Sequence, residues 1–368
     1  MGRKCGVGEL RVGVVILIGL LCVQLGGGFP VGSLGVAHEG EQLEGFNFVA
    51  YGDTRSHGLP AAVSPVHEGL VAMYLQENPE FVVHTGDMVL QGGVWDQWVG
   101  FNHSIQEVWA AEIPFYGVVG NHEKYTETWY VNDEDFSNYT TFFDFSSVVD
   151  TPGETELMYA FTYMGIHFIF LNTEDYFDDT LGGTQQFNCS SEQMSWLTSY
   201  LTDIDPEEFV VITYHRTAWS IRSNRPDRWE EAQTIREDFH ELFIQYDVDL
   251  VFMGHDHYYY RTLRDGIYYV TTGGGGAPLA GINVTAPIWQ SADVAYSEYH
   301  YCNIDVNVTH VTVTAVNSDY SLLDSFTIAR SVIAPPPFPI ELLILALGLG
   351  LIVLIIIIIV IIYWRRNK

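Results

Sequence analysis

Phe46-Asn47-Phe48-Val49-Ala50-Tyr51-Gly52-Asp53 is a β-rich run of six residues that stops at Gly-Asp. Six residues is an ordinary strand length, and the stop leaves a carboxylate at the strand's C-terminal end. Four further runs end in the same way. Phe81-Val-Val-His-Thr85 leads to Gly86-Asp87, and Ile113-Pro-Phe-Tyr-Gly-Val-Val119 leads to Gly120-Asn121-His122-Glu123. Phe209-Val-Val-Ile-Thr-Tyr214 ends on His215, and Val248-Asp-Leu-Val-Phe-Met253 ends on Gly254-His255-Asp256-His257. Helices are expected between these runs, at 64–77, 94–110, 191–202 and 233–246, with a further strand at Tyr268–Thr272. Strands alternating with helices predict an α/β sheet with helices on its faces. Ligands of such sheets bind beyond the carboxyl ends of the strands.

The polar stops therefore meet at one edge. Carboxylates, an amide oxygen and imidazoles are hard-to-borderline ligands that suit Fe, Mn or Zn, and no thiolate is offered. Two ions about 3.5–4 Å apart can activate a water and hold phosphoryl oxygens, so the set suits attack on phosphate esters.

The ends of the 368-residue chain read differently from this head, which spans 40–330. Arg3, Lys4 and Arg11, an apolar run from Val12 to Leu25 and then Gly26-Gly-Gly28 have the layout of a signal peptide over 1–28, with an exit near Gly28 or after Ala37. Residues 331–339 include Pro335-Pro-Pro337 and read as a stiff stalk. Residues 340–362 are apolar apart from Glu341, long enough to cross a bilayer. Tyr363, Trp364, Arg365, Arg366 and Lys368 follow, an aromatic and basic flank that marks the cytoplasmic side. The expected topology is a head outside, one C-terminal transmembrane helix and the short tail 363–368 inside, placing the protein in the cell membrane.

The head carries ten basic and 43 acidic residues, a balance that repels nucleic acid. Asn102, Asn138, Asn188, Asn283 and Asn307 each begin an Asn-x-Ser/Thr acceptor, as in a secreted glycoprotein. Outside the leader only Cys189 and Cys302 remain, which leaves room for one bridge. Nothing in the sequence indicates a protein partner.

The motifs Gly-Asp53-Thr-Arg, Gly-Asp87-Met, Gly-Asn121-His122-Glu123, Tyr-His215-Arg and Gly-His255-Asp-His257, in this order, resemble the calcineurin-like metallophosphoesterase superfamily and its purple-acid-phosphatase-like branch. Gly273-Gly-Gly-Gly-Ala-Pro278 looks like the glycine-rich loop of that branch. The likeness covers 46–330. It implies a four-layer α/β-β-α sandwich and two metal ions bridged by Asp87. One ion would take Asp53 and His257, the other Asn121, His215 and His255. His122 would be the general acid that protonates the leaving group.

Three positions depart from the pattern. Arg55 stands where the family usually has a metal-binding His, and Leu90 where purple acid phosphatases have a Tyr, so the first metal is short of a ligand, whose place water, His57 or nothing could take. Arg216 follows His215 where many relatives have a second His. A guanidinium cannot coordinate a cation, but its donors suit a phosphate oxygen; Arg55 and Arg216 are read as substrate-binding beside Asn121, and Arg55 as catalytic with Asp87 and His122, the alternative for Arg55 being an ion pair that holds a metal-ligand carboxylate.

His84 and His167 sit inside apolar runs and read as structural. Glu123 reads as orienting its loop, and Asp256 as a support behind the ligands. The aromatics from Trp129 to Phe145, and Tyr258-Tyr-Tyr260, fit a pocket wall or a packed core equally. The expected activity is hydrolysis of phosphate monoesters. The alternatives are a phosphodiesterase or nucleotide pyrophosphohydrolase on the same site, and a catalytically silent surface domain.

Overall fold

The structure, a computed structural model, describes residues 29–30, 45–58, 63–125, 136–144, 157–174, 189–223, 225 and 227–330. The leader before Phe29, the stalk and the apolar run 340–362 lie outside the described residues, among which no helix is long and apolar enough to cross a membrane. The described residues, up to Arg330, form one compact unit.

Two large sheets make up this unit. In the first, β1 (Phe46–Tyr51), β2 (Val82–His84) and β3 (Phe115–Gly117) run parallel side by side. Beyond β1 the sheet continues antiparallel through β11 (His300–Val306), β12 (His310–Asn317) and β13 (Leu322–Ala329). In the second, β5 (Ile166–Phe170), β6 (Phe209–Thr213), β7 (Leu250–Met253) and β9 (Ile267–Thr272) are parallel neighbours. β4 (Tyr159–Tyr163) pairs antiparallel with β5 at one end, and β8 (Tyr259–Arg264) with β9 and β10 (Val294–Tyr296) at the other. β6 and β7 are buried at every residue, which is why they read as unbroken apolar runs. The outer strand β13 has no fully buried residue and carries Asp324, Ser325 and Thr327.

An aromatic slab joins the sheets. Phe48 of β1 stacks on Phe81 at 5.0 Å and meets Phe168 of β5 and Phe252 of β7 edge-on at 5.2 and 6.3 Å. Phe81 also meets Phe161 and Phe168 edge-on, the geometry that the ring quadrupole favours. Helices α1 (Pro65–Tyr74), α2 (Trp95–Ser104) and α3 (Gln106–Ala110) pack into this core through Leu70, Trp98, Phe101 and Val108. Helices α5 (Ser191–Thr202) and α6 (Asp227–Gln245) bury Leu197, Ile235, Phe239 and Phe243 against the second sheet. Local chemistry sets the helix starts. Ser64 accepts the Val66 N–H ahead of Pro65, and Ser190 accepts that of Gln193.

Several expectations are refined. The expected helix 94–110 breaks at Ile105 into α2 and α3, and α6 begins at Asp227 rather than 233. Of the aromatic segment, Phe136, Tyr139, Phe142 and Phe143 are core, the last three, on and just after α4 (Ser137–Phe142), packing against Trp98. Trp129 and Tyr130 lie outside the described residues. Tyr258, Tyr259 and Tyr260 are likewise buried, their hydroxyls donating to Asp256, Asp324 and Asp293. His84 is buried beside Thr54, and His167 pairs with Glu208 at 2.9 Å. Cys302 is a free, buried thiol, so no bridge joins it to Cys189.

Two outcomes follow from this packing. Phe48→Ala should destabilise the fold by about 3–5 kcal/mol in denaturant unfolding; a loss below about 1 kcal/mol would contradict the role of the slab. Asp249 accepts the Val210 N–H at 2.8 Å, and burial pushes its carboxyl up to about 7. Its folded form thus holds a proton that the unfolded chain releases, so the stability it confers is full below about pH 4 and lost as pH rises through about 7. Asp249→Asn should raise the melting temperature at pH 8 more than at pH 4, and the reverse order would refute this.

Candidate metal centre

The two blocks of parallel strands deliver their C-terminal ends to one place. Asp53 follows β1, Asp87 follows β2 and Asn121 follows β3; His215 follows β6, and His255 and His257 follow β7. At the turns out of these strands Asp53, Asp87 and His255 have φ values of 58°, 56° and 69°. Non-glycine residues enter this left-handed region rarely and at an energetic cost, and such strain clusters at functional sites. Glycine is required beside them for space. A Cβ on Gly254 would stand 2.6 Å from Asp53 Oδ2, and one on Gly86 2.7 Å from His215 Nδ1.

Two groups of donors share Asp87. Asp87, His215 and His255 form one, and Asp53, Asp87 and His257 the other, each with ligand atoms within 4.8 Å of one another. In the first group His215 Nε2 lies 3.3 Å from Asp87 Oδ1, 3.3 Å from Asn121 Oδ1 and 3.1 Å from His255 Nδ1. In the second, His257 Nε2 lies 3.4 Å from Asp53 Oδ1. Asp53 Oδ1 is buried and accepts no hydrogen bond, which is the state of an oxygen that a cation would satisfy. The residues thus fit divalent ions.

The imidazoles are oriented from behind. His215 Nδ1 is 2.7 Å from the Thr85 carbonyl, and His257 Nδ1 is 2.7 Å from the Pro278 carbonyl. A carbonyl only accepts, so each Nδ1 carries the proton and each Nε2 lone pair faces the centre. His255 is turned the other way. Its Nε2 lies 3.0 Å from Glu231 Oε1, which leaves Nδ1 for the centre. Burial, aided by Arg55, lowers His257 to about 3, and burial with Arg228 holds His255 well below its usual range. Neutral imidazoles are the form that binds metal. Burial pushes Asp53 up to about 8. Burial also opposes the charge on Asp87, but His215, His122, Arg55 and His255 overcome it and hold that carboxyl well below the carboxylate range.

Glu123 is a clamp rather than a ligand. Its buried carboxylate accepts the backbone N–H groups of Asp87 at 2.9 Å, Met88 at 2.9 Å and Gly120 at 2.6 Å, tying two motif loops together. His122 donates its backbone N–H to Asp87 Oδ1 at 3.0 Å and sets Nδ1 2.7 Å from the Leu90 carbonyl, so its Nε2 is the ring atom facing the centre, 3.9 Å from Asp87 Oδ2. Burial lowers its imidazole to about 3, against the pull of Asp87. Arg55 Nε lies 3.4 Å from Asp87 Oδ2 and Nη2 3.4 Å from His257 Nε2. His57 is exposed.

Arg216 has a different task from the expected phosphate contact. It is buried, with Nε and Nη2 donating to the two oxygens of Glu174 at 2.7 and 2.8 Å and Nη1 to Glu231 at 2.9 Å. Its charge is spent on holding the carboxylate behind His255. Asp256 accepts from Ser220 and Tyr258, both at 2.6 Å, and stands behind the ligand loop. Glu231 and Glu174 were not foreseen: Glu231 lies in a polar helical stretch whose pattern does not separate it from Glu230.

Comparison with known proteins gives a family and a fold. The calcineurin-like phosphoesterase family model matches residues 46–259. Purple acid phosphatase 13 of Arabidopsis thaliana is 33% identical over 195 residues, 50% of this chain and 32% of that protein. A nucleotide pyrophosphatase/phosphodiesterase of Hordeum vulgare is 27% identical, covering 69% of this chain and 73% of its own. The chain thus spans about a third of the length of the first curated relatives it matches. Among solved structures, purple acid phosphatase PPD1 from yellow lupin has a TM-score of 0.64 at 22% identity, covering 80% of this chain and 56% of its own. GAP50, the anchor in the inner membrane complex of Plasmodium, has a TM-score of 0.56 at 15% identity over 79% of this chain and 90% of its own.

Removing the clamp should loosen both loops at once. Glu123→Ala is expected to weaken metal retention about 10–100-fold, read as metal content after dialysis against a chelator. Retention equal to that of the unaltered chain would contradict the clamp.

Proposed function

The chain belongs to the calcineurin-like phosphoesterase family. We propose that it is a metal-dependent phosphatase that hydrolyses small phosphate monoesters. The observation that carries this reading is the sharing of Asp87 between two donor groups at the common strand edge. Two divalent ions held there (Fe, Mn or Zn) would supply an activated water and a Lewis-acid grip on the phosphoryl group.

The chain's own residues do the rest. Asp53 and His257 hold one half, and Asn121, His215 and His255 the other. Arg55, at the rim with its side chain 14% exposed, offers guanidinium donors to a phosphate oxygen. His122 delivers its proton from Nε2, because Nδ1 is committed to the Leu90 carbonyl. An anionic phosphate beside that ring would favour its protonated form, offsetting the burial that lowers it.

The Hordeum vulgare relative, matched over most of its length, favours a second reading on the same site: cleavage of a phosphodiester or a nucleotide pyrophosphate bond. For its location, the apolar run 340–362 would anchor the head to the cell membrane, with the head outside and the tail 363–368 in the cytoplasm. The leader layout and the acidic head support that orientation.

Aryl phosphate hydrolysis by the full chain should vanish on chelation and return with Mn, Zn or Fe. His122→Ala should lower kcat about 10²–10⁴-fold with metal content unchanged. A bis-ester hydrolysed faster than the monoester would move the second reading to the front. Inactivity on both esters with metal present would leave a silent binding domain.

A further inference from the structure

The two halves of the centre are not equivalent. The half built on Asn121, His215 and His255 has, with Asp87, four donors, and its imidazoles are braced by the Thr85 carbonyl and by Glu231. The other half has three, Asp53, Asp87 and His257, and a permanent cation lies against two of them. The Arg55 guanidinium lies 3.4 Å from both Asp87 Oδ2 and His257 Nε2. The backbone fixes its position, since the Arg55 N–H donates to the Asp87 carbonyl at 3.2 Å and Arg55 bridges to Val63. A guanidinium cannot give up its proton or ligate a metal, and it repels a dication at this range. Yet Asp53 Oδ1, in the same half, is buried with no hydrogen bond and still needs a cation.

Resting on the phosphatase reading above, we propose that the centre holds one resident ion at Asp87, Asn121, His215 and His255 and a second, weakly held ion at Asp53, Asp87 and His257, whose binding Arg55 opposes until a phosphate oxygen engages the guanidinium. An oxyanion is a better partner for the planar fork than a single imidazole nitrogen. Phosphate would draw Arg55 off His257 and Asp87, and the ion would replace it at both. Phosphate and the second ion then strengthen each other's binding reciprocally.

The test needs no turnover. The full chain, stripped of metal, is titrated calorimetrically with Zn²⁺ alone and again with inorganic phosphate present. Two binding events separated at least about 100-fold in affinity are expected, with phosphate strengthening only the weaker. His215→Ala should remove the tight event and His257→Ala the weak one, which separates both from loose binding to the acidic surface. Arg55→His, which adds a ligand and removes the cation, should bring the two events within about tenfold of each other. Arg55→Ala should strengthen the weak event and abolish its response to phosphate, and a melting curve establishes that each variant is folded. A single event, two equal events in the unaltered chain, or a separation that persists in both folded Arg55 variants would overturn the proposal. Failure of the phosphatase reading would look different: no hydrolysis with both events saturated.

Discussion

The Asp87 carboxylate is the constraint on which the centre depends. It belongs to both donor groups, so its position sets the spacing between them. It is buried, touched by His215, His122 and Arg55, and set on a backbone that Glu123 clamps. An isolated buried carboxylate would neutralise itself. Here the surrounding positive and hydrogen-bonding groups keep it charged, and that charge is what a pair of cations requires.

Behind the ligands lies a second buried charge system. Arg216 joins Glu174 to Glu231, and Glu231 reaches His255. Buried ion pairs give little net stability, because desolvation offsets most of the attraction, while breaking one leaves an uncompensated charge. Their value here is geometric. They fix which nitrogen His255 presents, and they run from the turn after β6 to helix α6, so the second sheet and its helix are held in register with the metal edge.

The residues of the centre were legible because they cluster where apolar runs end: Asp53, Asp87, Asn121 and His255 each follow a glycine, His215 follows Tyr214, and His257 stands two residues after His255. Packing explains the glycines, since a Cβ at Gly86 or Gly254 would intrude on His215 or Asp53. The strands β6 and β7 were legible for a related reason: they are buried at every residue and almost wholly apolar, whereas β1 carries one half-buried polar residue, Asn47, in its apolar run. What escaped was non-local. β11 pairs with β1 from more than 250 residues away, and nothing in 300–306 announces that neighbour. Glu231 acquires its meaning only when α6 packs behind His255. Arg216 was misread because adjacency to His215 in sequence does not say which way its side chain turns. For Arg55 an ion pair with a ligand carboxylate was one of two readings, but that the carboxylate is Asp87 and that the same guanidinium reaches His257 required the fold.

Anomalous diffraction from crystals of the protein grown with Mn²⁺ or Zn²⁺ and phosphate tests the central claim most directly. The account predicts two peaks about 3.5–4 Å apart, with Asp87 between them, Asn121, His215 and His255 on one and Asp53 and His257 on the other. Peaks absent from this edge, or a pair not bridged by Asp87, would contradict it.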